Sequence, residues 1–555
     1  MNKDNRILSP TQKNIVLVLL GILIVVSLIY VQSLINSKST NALAPQEEIT
    51  EKTELPTEEQ KNIEEPEENQ EETPKEEDEE SEQEDKENIE EQEEQIIDNP
   101  NVQVVTIKNS GSYNISGNYE CIVVNTTGEV TMNLKGAKIN CPNGPAILIK
   151  SAHKVTINTE TASTISATTN ETYDGAIYSE ADLVLQGSNS LTITSNYDGI
   201  VSKDTLIFNN GTYIINASDD GIRGKDSITI ENGKYTITAG GDGIKSTNDK
   251  DAVKGYIEIN KGTINIDAKN DGIQAETSLA INGGTHSITT NGGSQTAMNG
   301  AISTKGLKAE KDVSINGGNI ILDTSDDSIH SNGTVKISSG SMNIKTYDDA
   351  IHANGNVTIS GGTVSIKKCF EGIEGANIYI KGGNIDVISS DDGLNASSKE
   401  DKNEIGNNTI EVSGGTLKIN SGADGIDSNG TVLIKGGTTY VESTSRGPEE
   451  PIDHNGELRI TNGTLLVLAK NFANDDGLKY STVPFTVEEV TSGSGIIKIG
   501  SISYTPIMNS YTYILIASSS LTTGPNQLSY GKNYLDVELT TGEIKVPTTP
   551  FGPNH

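Results

Sequence analysis

A repeated unit in the middle of the chain reads Asp326-Asp327-Ser328-Ile329-His330-Ser331-Asn332-Gly333-Thr334-Val335-Lys336-Ile337-Ser338-Ser339-Gly340-Ser341-Met342-Asn343-Ile344-Lys345-Thr346-Tyr347. A second copy follows at once, beginning Asp348-Asp349-Ala350-Ile351. Each copy has three short runs in which apolar and polar residues alternate, separated by turns rich in Asp, Asn, Ser and Gly. Alternation with a period of two is typical of a strand with one buried face. The unit therefore predicts three short strands joined by tight turns.

The same unit recurs along the chain. Thirteen acidic or glycine-containing turns between Ile177 and Leu478, one of them ending at Ile302, end in an aliphatic residue, and the commonest form is Asp-Asp-Gly-Ile. Successive turns lie about 22 residues apart, with insertions, which leaves no room for helices between strands. Stacked coils of this kind pair each strand with its equivalents above and below. The sequence predicts an all-β parallel β-helix with three sheets, right-handed because parallel crossovers favour that hand.

Composition and charge narrow the classes of function. The chain carries a net charge of −36 and has no Trp, and hydrophobic residues make up only 33% of it. A surface this acidic excludes nucleic acid as a partner, because binding to phosphates needs a basic face. It is compatible with divalent cations and neutral glycans.

The amino terminus has the pattern of a membrane anchor. An apolar run from Ile15 to Val31 follows Lys3, Arg6 and Lys13. We therefore predict a cytoplasmic tail over residues 1–14 and a transmembrane helix over residues 15–35, with the rest of the chain outside the cell. A cleaved signal peptide with the small-residue site Ala42-Leu43-Ala44 is the alternative.

The remainder divides by composition into three parts. Residues 46–98 hold 26 acidic residues against four lysines, so residues 36–99 are predicted to be a disordered linker. Residues 100–482 carry the repeat, and residues 483–555 are predicted to form a β cap, since the end of such a rod exposes unpaired strands. Together these segments predict a single-pass protein of the bacterial cell surface with a monomeric ectodomain.

The three cysteines leave one question open. Cys121 and Cys141 lie 20 residues apart, about one coil, so they either form one bridge between neighbouring coils or remain two buried thiols. Cys369 has no partner at a comparable spacing. The spacing matches no zinc motif.

The acids of the turns are candidate calcium ligands. Carboxylates at one corner of stacked coils lie about 5 Å apart and repel one another unless a hard cation with oxygen ligands screens them. The alternative is that Asp merely suits a turn and is solvated. The candidate metal ligands are Asp219, Asp220, Asp242, Asp271, Asp326, Asp327, Asp348, Asp349, Glu371, Asp391, Asp392, Asp424, Asp475 and Asp476.

A second column of polar residues lies one position after each core aliphatic, where alternation predicts an outward side chain. It includes His330, His352, Glu374, Asn395, Asp427 and Asp453. Two histidines beside a carboxylate suit a transition metal or the hydroxyls of a sugar, and a ligand-free polar stripe is the third interpretation. Tyr347 and Phe370 stand at acidic turns of neighbouring coils and are candidates to stack on sugar rings or to pack at the corners.

The sequence resembles a known family through two sets of motifs. They are Asp219-Asp220-Gly221-Ile222, Asp391-Asp392-Gly393-Leu394 and Asp475-Asp476-Gly477-Leu478, with Gly-Gly-Thr corners at 283–285, 361–363, 414–416 and 436–438. The chain is similar here to the carbohydrate-binding β-helix family of clostridia and their relatives, whose fold is like that of pectate lyases. The resemblance implies Ca²⁺ among acidic turn residues and non-catalytic binding of plant-type polysaccharide.

Three functions remain open from the sequence. The favoured hypothesis is a calcium-dependent, non-catalytic polysaccharide-binding rod. The second is a polysaccharide lyase, in which Ca²⁺ acidifies the proton next to a uronate carboxylate and a basic side chain removes it. The third is an adhesive or structural stalk. The candidate bases for the lyase are Lys245, Lys254, Arg223, Lys367, Lys368 and Arg446.

Overall fold

The computed structural model describes residues 95–99, 103–297, 300–397, 406–445, 449–472 and 478–546. Every regular element in these residues is a β-strand. The predicted cytoplasmic tail, the membrane helix over residues 15–35 and the linker as far as residue 94 lie outside them. Within the described part of the chain, no helix is long and apolar enough to span a membrane.

Strand pairing shows a parallel β-solenoid. Along most of its length each strand pairs in parallel with the strand three positions later in the chain. The strand at Ile329–Ser331 thus lies between Leu307–Ala309 and the start of Ile351–Ile359. Each coil therefore gives one strand to each of three sheets. The predicted all-β solenoid is confirmed, while the hand of the coil stays a prediction.

The three sheets are named by their order within one coil, beginning at the acidic turn. Sheet 1 contains Val104–Ile107, Cys121–Asn125, Ile147–Ser151, Gly175–Ser179, Asp198–Ser202, Ile222–Gly224, Ile244–Ser246, Ile273–Ala275, Leu307–Ala309, Ile329–Ser331, Leu394–Ala396, Ile426–Ser428 and Ile452–His454. Sheet 2 contains Gly111–Tyr119, Lys154–Thr161, Asp182–Gly187, Thr205–Phe208, Ser227–Ile230, Tyr256–Ile259, Ser278–Ile281, Asp312–Ile315, Thr334–Ile337, Thr409–Val412, Thr431–Ile434 and Glu457–Ile460. Sheet 3 contains Ser163–Ala167, Ser190–Ser195, Thr212–Ala217, Lys234–Ala239, Thr263–Ala268, Thr285–Thr290, Asn319–Thr324, Ser341–Thr346, Thr363–Lys368, Asn384–Ile388, Thr416–Ser421, Thr438–Ser443 and Thr464–Ala469.

Four long strands bend from one sheet into the next. Ile351–Ile359 and Ile373–Ile380 each begin in sheet 1 and end in sheet 2. Gly111–Tyr119 and Glu129–Cys141 each begin in sheet 2 and end in sheet 3. The pairing shifts its register at the bend, as between Ala353 and Asn356, so one coil can be a residue shorter there than its neighbour.

The core is a set of aliphatic columns, because identical positions of successive coils lie directly above one another. Ile222 pairs with Ile244, and Ile329 with Ile351, and all four side chains are fully buried. Buried aliphatic area is the main favourable term in folding, about 25 cal/mol per Å². The core therefore needs no large aromatic cluster, which agrees with the low aromatic content of 4%.

Two of the thirteen predicted turns are wrong. Ile302 is 48% exposed, and the core position of its coil is Leu307, which pairs with Ile273. Leu478 is 50% exposed and belongs to sheet 2, where it pairs with Glu457. In the first case a long connection contains an apolar residue by chance. In the second case this segment is a strand of sheet 2 and not of sheet 1. Its buried position is that of Lys479, which pairs with Leu458.

Glycine has two distinct roles in the repeat. At the Gly-Gly-Thr corners it supplies the predicted left-handed backbone, with φ of +85° at Gly362 and +79° at Gly415. In the Asp-Asp-Gly-Ile turn the reason is close approach. A Cβ on Gly393 would lie 2.5 Å from the carbonyl oxygen of Gly425 in the next coil and 2.3 Å from the Ile419 side chain. Coils therefore stack there backbone against backbone.

The first coils differ from the prediction at two points. Gln95–Asn99 is a strand that pairs with Tyr113 to Gly117, so the predicted disordered linker is wrong for these five residues. Cys121 and Cys141 form a disulfide, which settles the alternative left open above in favour of the bridge. Cys369 is a buried free thiol.

The carboxyl-terminal part is antiparallel. The long strand Leu478–Gly493 crosses the predicted boundary at residue 482, so the cap begins within a strand of the solenoid. The further strands are Ile497–Ile499, Ile502–Tyr504, Tyr511–Ser518, Gly524–Tyr530 and Asn533–Glu543. Tyr511–Ser518 pairs antiparallel with Thr464–Ala469, the last strand of sheet 3. This pairing covers the open edge of that sheet.

A buried glutamate fastens the cap to the rod. The Glu442 side chain is fully buried and accepts hydrogen bonds from the Tyr504 hydroxyl at 2.5 Å and from the backbone N–H of Met508 at 2.6 Å. The ring of Tyr504 also stacks on Tyr440, with ring centroids 4.2 Å apart. A buried carboxylate is stable only when such donors replace water.

The close stacking at the acidic turn gives a test by substitution. Gly393→Ala forces a Cβ into contact with the next coil, and we expect the stability to fall by about 1–3 kcal/mol, as overpacking does elsewhere. Thermal and urea unfolding would measure the change. Gly300→Ala is the matched control, since a Cβ there meets nothing within 4 Å. Equal stability of the two variants would contradict the close-approach explanation.

Candidate functional site

The residue two positions before each core aliphatic is an acid in all but one of the described coils from Asp198 to Glu450. These residues form a column on the solenoid, called the inner ladder. In chain order its members are Asp198, Asp220, Asp242, Asp271, Lys305, Asp327, Asp349, Glu371, Asp392, Asp424 and Glu450. The aspartates of the ladder each accept a backbone hydrogen bond from the next coil, such as Asp242 N–H to Asp220 Oδ1 at 2.8 Å and Asp424 N–H to Asp392 Oδ1 at 2.9 Å. The carboxylate thus satisfies a turn N–H and keeps its second oxygen for another partner.

The acids one residue earlier behave differently. Asp219 is exposed, whereas Asp326 is buried. Asp348 and Asp391 are partly buried, and a hydrogen bond from the Asp391 N–H to the Phe370 carbonyl keeps that turn in register. Asp475 and Asp476 lie outside the described residues.

In the amino-terminal half, cations of the chain itself pair with the inner ladder, although burial still raises the pKa of Asp198 to about 6 and that of Asp220 to about 7. Each of these cations follows a core aliphatic by one residue, in the column that the sequence predicted to face outward. These side chains are instead mostly buried and lie against the acids of their own and the preceding coils. The pairs are Arg223 with Asp174 at 2.5 Å and with Asp198 at 2.6 Å, Lys245 with Asp242 at 2.6 Å, and Lys308 with Asp271 at 3.2 Å.

Lys305 interrupts the ladder. It stands where every other described coil from Asp198 to Glu450 has an acid, and its Nζ lies 2.6 Å from Asp326 Oδ1 and 2.8 Å from Asp327 Oδ2. Burial of Asp327 opposes ionisation, but the hydrogen bond from His330 and the charge of Lys305 outweigh it and lower the pKa of Asp327 to about 2. The sequence analysis missed Lys305, because it aligned this coil on Ile302.

The two predicted histidines are brought together. The rings of His330 and His352 stack with centroids 4.9 Å apart and an interplanar angle of 13°. His330 Nδ1 lies 2.8 Å from Asp327 Oδ2, and His352 Nδ1 contacts a carboxylate oxygen of Glu374 and lies 3.4 Å from Asp349. Burial disfavours the charged ring of His352, but these two carboxylates outweigh burial and raise its pKa to about 11.

Beyond Glu374 one such cation is found in the described residues, Lys479, whose Nζ lies 3.7 Å from the Glu450 carboxylate. Among the described residues, no Lys, Arg or His side chain pairs with Glu371, Asp392, Asp424 or Asp427. Burial, followed by the charge of Asp392, raises the pKa of Asp424 to about 8 and that of Asp427 to about 7. Burial and then the charge of Asp349 raise the pKa of Glu371 to about 8. This half of the ladder holds mutually repelling acids.

The acids of this half converge on one place. Carboxylate oxygens of Asp392, Asp424 and Asp427 lie within 4.8 Å of one another. Asn395, in register with Asp427, has a buried side-chain oxygen without a hydrogen-bond partner among the described residues. Asp453 follows in register on the next coil. We call Asp392, Asn395, Asp424, Asp427 and Asp453 the acid cluster.

Glu449 adds to the charge around the acid cluster and was missed by the sequence analysis. Its charge raises the pKa of Asp427, behind burial and two nearer carboxylates. The signal was present in the sequence, because Glu449-Glu450-Pro451-Ile452 stands where other coils have Asp-Asp-Gly-Ile. The coil is aligned on Ile452, but Pro451 replaces the glycine of the motif, so the turn is not recognised as acidic.

An aromatic groove lies beside the ladder. Tyr347 and Phe370, each 46% exposed, stand on adjacent coils and line a cavity of about 390 Å³ together with Lys367 and Ser389. Lys368 lies over the Tyr347 ring, with its Nζ 5.8 Å from the centroid, and donates a hydrogen bond to the carbonyl of Ser294. Both predicted aromatic residues therefore present ring surface to solvent.

The candidate bases for a lyase are mostly engaged as counter-cations. Arg223 and Lys245 pair with acids of the inner ladder, and Lys254 pairs with Asp226 at 2.6 Å. Lys367, which lines the groove, pairs with Asp386 at 3.3 Å. Arg446 lies outside the described residues. Among the described candidates, none is held free beside the acid cluster.

The fold and these features define a parallel β-solenoid whose acidic turns form an oxygen-rich column. The family model for the carbohydrate-binding domain-containing protein matches residues 101–350 and 339–500, and the chain belongs to this family. A solved structure, the gadolinium derivative of a polysaccharide lyase-like protein from C. thermocellum, shares 31% identity over 34% of this chain and 83% of that chain, with a TM-score of 0.33. No curated protein matches the chain.

The raised pKa values give a pH dependence. A carboxyl group whose pKa is higher in the folded than in the unfolded protein stabilises the fold fully below the unfolded value, and this contribution is lost as the pH rises through the folded value. For Glu371, Asp424 and Asp427 that window runs from about 4 to about 8. We expect the thermal midpoint of the metal-free protein to fall by several degrees across it.

Differential scanning calorimetry in chelator at a series of pH values would measure this change. Asp424→Asn, which stays neutral at every pH, should show a flatter dependence than the natural protein. Asp327, whose pKa is lowered, does not affect this comparison. Its contribution to the free energy of unfolding is constant above about pH 4. A midpoint that rises between pH 5 and 8 would refute the prediction.

Proposed function

We propose that the protein is a calcium-dependent, non-catalytic polysaccharide-binding protein held at the bacterial cell surface by its amino-terminal helix. The observation that carries the proposal is the position of the aromatic groove next to the stretch of the ladder that lacks internal cations. Membership of the carbohydrate-binding family supports the ligand class. The groove would hold the sugar, and the ion would rigidify the coils that carry it.

The acid cluster fits Ca²⁺ in its chemistry. It offers only oxygen ligands, and a hard cation of this type takes six to eight of them from carboxylates, amides and backbone carbonyls. The orphaned side-chain oxygen of Asn395 gives a neutral ligand beside the carboxylates of Asp392, Asp424 and Asp427. When bound, the ion supplies the positive charge that Arg223, Lys245 and Lys308 supply in the other half.

The aromatic groove fits a polysaccharide. The apolar face of a sugar ring packs on an aromatic side chain, and its hydroxyls need donors and acceptors at the edge. Tyr347 and Phe370 provide two platforms one coil apart, about 4.8 Å, and Lys367 with Ser389 provides polar groups. Trp is absent from the whole chain, so these two rings are the principal exposed aromatic pair near the ladder.

The location rests on the anchor pattern and on the disulfide. The apolar run from Ile15 to Val31 with its basic flank orients the rest of the chain outward. A bridge between Cys121 and Cys141 persists in oxidising compartments outside the cytoplasm. The acidic linker would then carry the solenoid away from the membrane as a monomeric rod.

The calcium proposal predicts a change in stability. Adding CaCl₂ to the metal-free protein near pH 8 should raise the thermal midpoint, because an ion that binds only the folded state at 100 times its Kd stabilises by about 2.7 kcal/mol. The double variant Asp424→Asn with Asp427→Asn should lose most of this rise. Asp536→Asn combined with Glu538→Gln, two exposed acids of the cap, is the charge-matched control. A rise of equal size in the double variant would refute the assignment.

The groove proposal predicts the effect of removing a ring. Tyr347→Ala and Phe370→Ala should each weaken retention on insoluble polysaccharides by roughly tenfold or more, as loss of an aromatic anchor does in other interfaces. Pull-down in the presence of Ca²⁺ would measure retention. Tyr534→Ala is the control, since this tyrosine of the cap is 68% exposed and lies outside the groove.

The same samples separate the binder from the two other functions. Ultraviolet absorbance of unsaturated product should stay flat with every polysaccharide that the protein retains, whereas a rise would establish a lyase. Absence of retention on any polysaccharide would leave the structural stalk. Equal loss in Tyr534→Ala would show that the groove is not the binding surface.

A further inference from the structure

The histidine pair differs chemically from every other part of the acidic column. At the position after the core aliphatic, the coils from Ile222 to Ile452 otherwise present ammonium, guanidinium, amide or carboxylate groups, but His330 and His352 present ring nitrogens on two adjacent coils in register. Three carboxylates converge on them. Asp327 lies within 4.8 Å of both rings, and Asp349 and Glu374 lie within 4.8 Å of His352. The two groups share His352, so they form one centre.

Both rings are held in place, and both can be reached. The side chains of His330 and His352 are 14% and 19% exposed, so each is largely buried but keeps one edge in contact with solvent. On that edge His330 Nε2 lies 3.1 Å from the side-chain oxygen of Asn332, and His352 Nε2 lies 3.4 Å from that of Asn354. An ion can therefore enter without unfolding of a coil.

We propose that His330 and His352, together with carboxylates of Asp327, Asp349 and Glu374, bind a divalent first-row transition ion, with Zn²⁺ as the representative, at a centre distinct from the acid cluster. Imidazole nitrogen with carboxylate oxygen is a ligand set that suits Zn²⁺, Cu²⁺ or Ni²⁺, whereas Ca²⁺ takes oxygen alone. The two histidines lie two to three coils, roughly 10–15 Å, from the acid cluster, and Glu374 lies one coil from Asn395, with which it is in register.

Binding of the ion releases one proton and raises the charge of the centre by one. The proton held between the His352 ring and the Glu374 carboxylate passes to solvent, and the ion takes its place between nitrogen and oxygen. The three carboxylates that favour one positive charge at this point favour a dication more strongly. Bonds of about 2.0–2.2 Å require the two stacked rings, now 4.9 Å apart, to tilt toward each other.

The test is titration of the full-length, tag-free protein with ZnCl₂ in the presence of saturating CaCl₂, followed by isothermal calorimetry. We expect one Zn²⁺ per chain, with affinity at least about tenfold weaker in His330→Gln and further reduced in the double variant with His352→Gln. His153→Gln is the matched control, because His153 is exposed and lies outside the centre. Co²⁺ added to the same protein should give visible absorption bands that the double variant lacks, and bands of equal strength in the double variant would count against the proposal.

The outcomes decide between the proposal and its rivals. Full binding by the double variant would place the ion elsewhere and overturn the proposal, as would absence of binding at about 1 mM ZnCl₂. Should the double variant fail to fold, the single variant decides, since unchanged affinity in His330→Gln is equally fatal. The variant Asp424→Asn with Asp427→Asn should keep its Zn²⁺ affinity, so failure of the calcium proposal leaves this one standing.

Discussion

Direct stacking of equivalent residues governs this molecule. When coils repeat about every 4.8 Å, each position of the repeat becomes a column of near-identical side chains. This stacking stabilises columns of isoleucine, because their apolar surfaces are buried together. It destabilises columns of carboxylates, because like charges come close to one another in a partly desolvated environment. The backbone N–H groups of the turns offset part of this repulsion, and the remainder has to be met by positive charge from the chain or from solution.

Most of the fold follows from local pattern. The period of the Asp-Asp-Gly-Ile turn and the alternation within each unit predict the three sheets, because register is fixed wherever one face of a strand is buried. The predicted core positions are wrong where an apolar residue outside the repeat resembles one inside it. Ile302 lies in a long insertion whose apolar residue mimics a core position, and Leu478 lies where sheet order changes at the cap. The bridge between Cys121 and Cys141 depended on their facing each other across coils, which spacing alone does not decide.

The candidate site was predictable in its membership but not in its electrostatics. Repeat register alone places His330 beside His352 and Asp392 beside Asp424, because successive coils superpose these positions. The identity of each acid's partner depends on how long side chains bend, and that information is absent from spacing. Lys245, expected to face solvent, lies against the inner ladder instead. Acids treated as solvated or metal-bound also turned out to accept backbone hydrogen bonds from the next coil.

The charge partners of the inner ladder change along the solenoid. From Asp198 to Asp349 the countercharges are side chains of the same chain, namely Arg223, Lys245, Lys308, Lys305 and His352. Glu371, Asp392, Asp424 and Asp427 have no such partner among the described residues, so their mutual repulsion is relieved only by protons or cations taken from the medium. Cohesion between neighbouring coils is therefore set mainly by the molecule itself in the first stretch and also by the composition of its surroundings in the second.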